Sequence, residues 1–464
     1  MVLSSAGFSI GEYALTNSRI LTPFLGDPRN IGSLDPRVKI FTSLGTEFFL
    51  AEPMQIIEFP ELFSELIPLR FSFSRYSHDG FERFVLLKLK KPVPVPPLAD
   101  TAVLCSVQIH HCSFGCISPT IFNQSCCSAS ISNVFGSENQ FFILDKFHIP
   151  DAYCSVVQDE VGNWIGFCLF PFKFDDTPTT WIGVSFRILT RFLVAICPDS
   201  WRHSLSLGLH HAQRSSASAC MVLIRSRGCW GSGIILSSDG YILTNSHVID
   251  PQTFIQVRIT STNSSRCTGP SEWYEASVVY CSKKSWDLAL IKISVSNLSC
   301  ARIDHSKLFT GRRIMAIGFP LFNPECTPID EPSYSEGKLV KIVSEKDTQV
   351  MLLTDATINR GSSGGMIADF YSGTLLGLIT SNLKLQSHSL EQSSSFPNIN
   401  FSIPLSVFIP LLKWIGFSSS EESNGTLESI VYKMEDEFVS SNAHKLWKLE
   451  EPLILNRRHF ASRL

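Results

Sequence analysis

Three residues that can cooperate in nucleophilic catalysis occur in the second half of the chain, in the order His247, Asp287 and Ser363. Serine is a poor nucleophile at neutral pH, so a histidine must take its hydroxyl proton during attack and return that proton to the leaving group. An aspartate beside the histidine holds the imidazole tautomer and stabilises its protonated form. Each residue alone is more often a turn former or a solvated side chain, but the three in this order predict hydrolysis by a serine nucleophile.

The runs around these residues predict β-strands whose ends carry the candidate site. Apolar, β-branched segments flank an Asp-Gly turn signal at 237–240, and His247 closely follows the second segment. Asp287 comes immediately before an apolar run, and Ser363 lies in the sequence Gly-Ser-Ser-Gly-Gly at 361–365, between two more strand-like runs. All three residues are therefore expected at strand boundaries.

The glycines around Ser363 suit a binding site for the negative oxygen that forms during attack. Glycine at 361 lets the backbone turn so that its N–H, together with that of Ser363, points at the developing oxyanion. Gly364 and Gly365 keep side-chain bulk away from the backbone behind the nucleophile. We therefore predict an oxyanion hole formed by the N–H groups of Gly361 and Ser363.

Composition and charge narrow the class of protein. The chain has 464 residues, a hydrophobic share of 44% and a formal net charge of −3. These values indicate two or three globular domains and favour neither nucleic acid nor an anionic membrane as a partner. The 14 cysteines are scattered, without paired Cys-x-x-Cys units at zinc-site spacing, so we expect free thiols, no metal and no cofactor. Charges and prolines interrupt two apolar stretches, so we expect no membrane span.

Four motifs in the second half resemble those of a known family. They are Gly-Ser-Gly at 231–233, Thr-Asn-Ser-His-Val at 244–248, Asp-Leu-Ala-Leu at 287–290 and Gly-Ser-Ser-Gly-Gly at 361–365. In this order they resemble the trypsin-like serine proteases and, more closely, the HtrA/Deg branch. The resemblance implies an all-β fold built from chymotrypsin-like double β-barrels and the activity of a serine endopeptidase.

The resemblance also implies a substrate pocket. In trypsin-like enzymes the residue six before the nucleophile lies at the base of the specificity pocket, and here that residue is Thr357. An uncharged, smallish side chain is therefore expected before the cleaved bond. Thr380, Ser381 and Asn382 should form the adjoining wall and pair with the substrate backbone as an added strand.

The first half of the chain repeats the second half in altered form. Tyr-Ala-Leu-Thr-Asn-Ser-Arg at 13–19 is a near copy of Tyr-Ile-Leu-Thr-Asn-Ser-His at 241–247. When the two halves are aligned over their full length, the first half has other residues at all three catalytic positions. Arg19 takes the place of His247, Arg83 that of Asp287 and Tyr153 that of Ser363. We therefore predict tandem double-barrel domains, of which the first is degenerate, is proteolytically inactive and can only bind, shield or regulate. The overlay leaves the first domain without a counterpart of the strand near Met221.

Composition shifts suggest the domain boundaries. We predict a degenerate domain at 1–200, a Ser- and His-rich linker at 201–217, a protease domain at 218–417 and a short C-terminal tail at 418–464. The tail contains one amphipathic stretch that can form a short helix. It is too short for the PDZ domain that many HtrA proteins carry.

The chain ends in Ser462-Arg463-Leu464, which has the form of a C-terminal peroxisomal address and predicts binding to a peroxisomal import receptor. With the degenerate first domain, this ending makes the chain resemble the peroxisomal leader-peptide processing protease family, called glyoxysomal processing protease in plants. That resemblance implies a matrix enzyme that removes N-terminal presequences from imported proteins, processes some other matrix proteins and cleaves itself. The bond between Cys220 and Met221 is one candidate for self-cleavage, and a homo-oligomer is possible.

Two other functions remain open at this stage. A general peroxisomal quality-control protease would degrade unfolded proteins to small peptides, whereas a processing enzyme should make one cut and stop. A non-enzymatic binding or holding protein of protease fold is the second alternative, which the intact triad in the second half disfavours.

Overall fold

The structure is a computed structural model of the chain. It describes residues 7–17, 30, 32, 34, 40–44, 47–58, 83–93, 99, 101, 103–111, 125–149, 152–172, 180–186, 216–259, 273–282, 286–303, 308–320, 331–345, 348–386, 393–416, 425–441 and 443–447. Arg19, linker residues 201–215 and the terminal Ser462, Arg463 and Leu464 lie outside the described residues, so the predictions made for them stay predictions.

Two six-stranded closed barrels form the second half of the chain, with strand orders β11-β12-β13-β16-β15-β14 and β17-β18-β19-β22-β21-β20. Their strands are β11 Met221–Ser226, β12 Cys229–Ile235, β13 Tyr241–Thr244, β14 Ile255–Ile259, β15 Trp273–Cys281, β16 Ala289–Ile293, β17 Arg313–Gly318, β18 Ser333–Glu345, β19 Thr348–Thr354, β20 Met366–Asp369, β21 Leu375–Gln386 and β22 Ser393–Pro404. Valine, isoleucine and leucine dominate many of these strands, as expected for pleated, half-buried surfaces. Side chains from both barrels belong to one buried cluster, including Ile242, Leu290, Ile317 and Leu378, so the two barrels pack as a unit.

The first half contains a third closed barrel and one four-stranded sheet within the described residues. Their strands are β1 Gly7–Asn17, β2 Ile40–Leu44, β3 Glu47–Glu58, β4 Arg83–Val93, β5 Ser106–His111, β6 Ser125–Phe135, β7 Phe141–Asp145, β8 Val156–Gln158, β9 Trp164–Phe172 and β10 Thr180–Ser185. The barrel of β5 to β10 has the order β10-β7-β6-β5-β8-β9. Read around the closed ring, its strands follow one another in the same sequence as those of both barrels in the second half.

The turn that carries Ser363 recurs in this barrel with Tyr153 in its place. The next residue has a positive φ in both turns, 80° at Gly364 and 55° at Cys154. The N–H of that residue donates to a strand carbonyl in both turns, at 2.9 and 2.8 Å respectively. The first half therefore keeps the backbone of the nucleophile turn without the nucleophile.

The sheet of β1 to β4 resembles part of the barrel that carries the candidate histidine. Its order β1-β4-β3-β2 parallels β13-β16-β15-β14. The threonine of Leu-Thr-Asn lies opposite Val85 in the first sheet and opposite Ala289 in the second, so Arg83 occupies the place of Asp287. Among the described residues the first sheet has no counterparts of β11 and β12, which agrees with the strand missing from the sequence overlay. The predicted all-β fold with chymotrypsin-like double barrels is thus confirmed, and the described first half consists of one closed barrel and a four-stranded sheet related to the other barrel.

Within the described residues, three helices follow the last strand and pack on the barrels of the second half. They are α1 Leu405–Trp414, α2 Leu427–Ser440 and α3 Ala443–Trp447. Trp286, which directly precedes the candidate catalytic aspartate, stacks edge-on against Phe438 of α2 with ring centroids 4.7 Å apart. Its Nε1 donates to the Met434 carbonyl at 3.2 Å. The described part of the predicted tail is therefore attached next to the site.

The bond between Cys220 and Met221, the candidate for self-cleavage, is not accessible. Cys220 is 2% exposed and Met221 is fully buried at the start of β11. Burial also raises the pKa of the Cys220 thiol to about 12. Cleavage there would therefore require the start of β11 to open, and self-cleavage at this position stays a prediction.

Neither a membrane helix nor a metal cluster occurs in the described part of the chain. No helix there is long and apolar enough to cross a bilayer. No group of three or more histidine, cysteine, aspartate or glutamate side chains there is arranged to hold a metal ion.

Candidate active site

The His247 ring and the Asp287 carboxylate are in direct contact. Nδ1 of His247 lies 2.6 Å from Oδ2 of Asp287. The other carboxylate oxygen accepts the Ser246 hydroxyl at 2.6 Å and the backbone N–H of His247 at 3.1 Å. The aspartate thereby fixes the ring through Nδ1 and leaves Nε2 as the nitrogen that can exchange a proton with the nucleophile.

Strand pairing explains why these two residues meet. Thr244 at the end of β13 lies opposite Ala289 at the start of β16, so the loop after β13 faces the loop before β16. Asn245 is fully buried between them. Its Nδ2 donates to the Asp287 carbonyl at 2.8 Å and, more weakly, to the Thr380 hydroxyl at 3.4 Å. Asn245 is part of the Thr-Asn-Ser-His-Val motif, but the sequence alone indicated no role for it.

The surroundings of Asp287 keep its carboxyl group ionised. Burial alone would raise its pKa, but the hydrogen bond and charge of His247 and the hydrogen bond from Ser246 outweigh this effect. The pKa of Asp287 in the folded protein is therefore lower than its ordinary value, as the orienting carboxylate of a triad requires.

Asp287 should make part of the protein's stability dependent on pH. A group with a lowered pKa in the folded state contributes stability above its unfolded pKa, and this contribution is lost as the pH falls through the folded pKa. We expect the unmodified protein to exceed Asp287→Asn in free energy of unfolding at pH 7, with the difference shrinking below about pH 4. Denaturant titrations of both proteins across pH 3 to 7 measure this. A pH-independent difference would contradict the expectation.

Ser363 lies beside this pair at the turn before β20. Within the described part of the chain its hydroxyl donates one hydrogen bond, to the Thr380 carbonyl at 3.0 Å, and none to the His247 ring. Catalytic hydrogen bonds are often loose in the absence of substrate and tighten only in the complex. The hydroxyl of Ser363 must therefore turn from the Thr380 carbonyl to the imidazole before His247 can accept its proton.

The backbone at 361–363 has the form of an oxyanion hole. Gly361 has a φ of 96°, which is unfavourable for any residue with a side chain. Among the described residues, neither the N–H of Gly361 nor that of Ser363 has a hydrogen-bond partner. Two free donors beside the nucleophile are what a developing oxyanion needs.

Ser232, the centre of the Gly-Ser-Gly motif, holds this loop in place. Its buried hydroxyl donates to the Gly361 carbonyl at 2.7 Å and accepts the Phe319 N–H at 2.8 Å. Its own N–H donates to the Ser363 carbonyl at 2.8 Å. Ser232 thus binds the carbonyl oxygens of both Gly361 and Ser363, and this fixes the orientation of the two peptide units. The Gly-Ser-Gly motif by itself did not indicate this role for Ser232.

The predicted substrate-pocket residues lie on both sides of the nucleophile turn. Thr357 donates through Oγ1 to Asn398 Oδ1 at 3.0 Å. Thr380 is buried, Ser381 is exposed and Asn382 is half-buried. Strand β20 pairs with β21 only as far as Leu378, so this edge of β21 at 380–382 is not covered by β20. Such an edge can accept an extended peptide as an added strand.

Comparison with known proteins places this site in a class. Residues 231–378 match the family model described as a trypsin-like peptidase domain, and this span includes His247, Asp287 and Ser363. The second half of the chain is therefore a trypsin-like serine endopeptidase domain.

Relatives of known name refine the class. The peroxisomal leader peptide-processing protease of Homo sapiens is 28% identical over 239 residues, which are 51% of this chain and 38% of the human protein. A probable periplasmic serine endoprotease, DegP-like, of Marinomonas sp. (strain MWYL1) is 30% identical over 44% of this chain and 41% of its own length. Among solved structures, the serine endoprotease from Yersinia pestis is 26% identical and covers 44% of this chain and 67% of its own chain, with a TM-score of 0.34. The second half of the chain is thus similar both to DegP-like serine endoproteases and to the peroxisomal leader peptide-processing proteases, and the chain spans less than half the length of these two curated relatives.

Proposed function

We propose that this protein is a peroxisomal serine endopeptidase that removes N-terminal targeting presequences from imported matrix proteins. The observation that carries the proposal is the pairing of His247 with Asp287, 2.6 Å apart, next to Ser363 and two free backbone donors. The named human relative supports the peroxisomal substrate class. Processing of some other matrix proteins, self-cleavage, receptor-mediated import and a homo-oligomer remain parts of the same proposal.

The reaction would begin with an extended substrate segment. Its backbone would pair with the edge of β21 at 380–382, and its side chain before the cleaved bond would approach Thr357. This arrangement would hold the substrate carbonyl against Ser363 and restrict the geometry of attack.

The chemistry would then proceed in three steps, each with a proton transfer through His247. His247 would take the hydroxyl proton as Ser363 Oγ forms a bond to the carbonyl carbon, while the N–H groups of Gly361 and Ser363 bind the oxygen that becomes negative. His247 would give the proton to the amine as the peptide bond breaks and an ester to Ser363 forms. A water activated by the same imidazole would hydrolyse that ester.

A holding protein of protease fold is the alternative from a different class. It needs neither an ordered Asp–His pair nor unoccupied oxyanion donors, and the second half has both. The first half alone fits the alternative, because Tyr153 and Arg83 stand at two of its catalytic positions. A general quality-control protease would have the same site and differ in the number of cuts.

Incubation with a purified precursor tests these alternatives. The precursor carries an N-terminal peroxisomal presequence, and intact-mass spectrometry follows it with the unmodified protein and with Ser363→Ala. One new N-terminus produced only by the unmodified protein is the expected result. Degradation to many small peptides would favour the quality-control protease, and an uncut precursor in both samples would contradict the proposed function.

A further inference from the structure

The barrel of β5 to β10, which lacks a nucleophile, rests directly on the second barrel of the protease domain. Strand β6 packs against β18. Nδ2 of Asn133 in β6 donates to the Ser333 hydroxyl at 2.9 Å and to the Glu331 carbonyl at 3.1 Å. After β7, Lys146 donates to the Glu336 carbonyl at 2.5 Å. These contacts dock the two halves along the beginning of β18.

One contact of this interface continues toward the active site. Asp145, the last residue of β7, is 5% exposed and accepts the hydroxyl of Ser335 at 2.6 Å. The oxygen of that hydroxyl accepts the backbone N–H of Thr357 at 2.7 Å. A two-bond chain thus leads from a carboxyl group of the first half to the backbone of the predicted specificity pocket.

Thr357 begins the loop that carries the nucleophile. Between Thr357 and Ser363 the chain closes on itself, because the Ser362 N–H donates to the Asn359 carbonyl at 2.9 Å. The Asn359 N–H returns a bond to the Ser362 hydroxyl at 3.2 Å. A shift at Thr357 would therefore move the oxyanion donors as well.

The first half also faces the back of this loop across a small cavity. A cavity of about 30 Å³ between the halves is lined by Asp145, Thr357 and Ser362 among others, enough for about two waters. Burial raises the pKa of Asp145, while hydrogen bonds from Ser335 and Thr357 and the charge of Lys146 act in the opposite direction. Asparagine at 145 would keep an acceptor oxygen and remove the buried ionisable group.

We propose that Asp145 of the first half is a positioning residue for the loop 355–363 of the protease domain. The barrel of β5 to β10 would then contribute to catalysis although its half of the chain lacks the triad. It sets the geometry of the specificity pocket and the oxyanion hole through Ser335 and Thr357. The kinetic part of this inference rests on the proposed protease function; the structural part does not.

The test compares four variants of the full chain: Asp145→Ala, Asp145→Asn, Ser335→Ala and Asn133→Ala. Asp145→Ala should lower kcat/KM for a peptide substrate by about 10- to 100-fold, since small misplacements of catalytic groups have effects of this size. The same variant should speed hydrogen exchange in the peptide that covers 355–363. Asp145→Asn should behave like the unmodified protein, because its amide oxygen still accepts the Ser335 hydroxyl.

Ser335→Ala and Asn133→Ala separate positioning from docking. Ser335→Ala breaks the same link from the protease side and should reproduce both effects, even where Asp145→Ala fails to fold. Asn133→Ala loosens the same interface without a bond to the loop and should leave both measurements unchanged. Unchanged exchange and kcat/KM in both Asp145→Ala and Ser335→Ala would overturn the proposal, and so would equal losses in Asn133→Ala.

Covalent labelling of Ser363 with a small phosphonofluoridate distinguishes failure of this inference from failure of the proposed function. In the unmodified chain, an unreactive Ser363 contradicts the protease function, while the hydrogen-exchange comparison still decides the role of Asp145. A reactive Ser363 with no difference among the variants overturns the positioning role alone.

Discussion

Replacing Ser363 with alanine is expected to lower kcat by about 10⁶-fold, because the variant has no nucleophile to form the ester intermediate. What remains should be about 10³- to 10⁴-fold faster than water, owing to the oxyanion donors and substrate binding. Steady-state cleavage of a peptide or precursor, followed by mass spectrometry, measures the loss. Undiminished cleavage by Ser363→Ala would show that a different residue attacks the substrate.

The other members of the triad should act as a unit with Ser363. Asp287→Asn is expected to lower kcat by about 10⁴-fold, because the amide favours the wrong imidazole tautomer. Adding His247→Ala to Ser363→Ala should cost almost nothing more, since proton transfer has no purpose without the nucleophile. Losses that simply add in the double variant would contradict a cooperative triad.

Replacing Gly361 with alanine is expected to lower kcat by about 10²- to 10³-fold, the usual cost of losing one oxyanion donor. A Cβ at this position would lie 2.3 Å from the Phe319 carbonyl and 2.5 Å from Trp230 Nε1. The φ of 96° adds strain that a side chain tolerates poorly. The peptide should relax by rotating, which turns the Gly361 N–H away from the substrate.

Gly311→Ala is the matched control for this variant. Gly311 has a similar φ of 91°, but a Cβ there would meet nothing within 4 Å. Alanine at 311 should therefore reduce stability through backbone strain while leaving kcat close to that of the unmodified protein. A comparable loss of kcat in Gly311→Ala would assign the effect of Gly361→Ala to general destabilisation.

The first half gains a role that its lost triad did not suggest. A degenerate copy of a protease domain is usually expected to bind a partner or to cover the active site. Here the carboxylate of Asp145 accepts the hydroxyl of Ser335, which in turn accepts the N–H of Thr357, and the protease domain depends on this link for the position of Thr357. Deleting the first half to obtain a smaller protease should therefore impair catalysis.

The structure leaves some sequence predictions as predictions. Thr357, Thr380, Ser381 and Asn382 lie around the nucleophile turn, and a map of cleaved bonds should show an uncharged, small side chain before the cleaved bond. The peroxisomal address lies outside the described residues. Deleting the last three residues and following the full chain in cells would decide its function.

The sequence by itself determined those features that depend on a few neighbouring residues. The order of the triad, the Asp-Gly turn before β13 and the glycine at 361 follow from side-chain chemistry and from the φ and ψ angles that each residue permits. The repeated Leu-Thr-Asn phrase likewise identified the duplicated fold, because the same local sequence builds the same strand end twice.

The tertiary structure alone decided which distant groups meet. Asp145 contacts a serine 190 residues further along the chain, and Trp286 bonds to Met434, 148 residues away. No periodic pattern in either segment encodes such a partner, because contacts between barrels and helices depend on how complete surfaces pack. The catalytic chemistry can therefore be predicted from short motifs. The contacts that position the catalytic residues depend on how the two halves pack together.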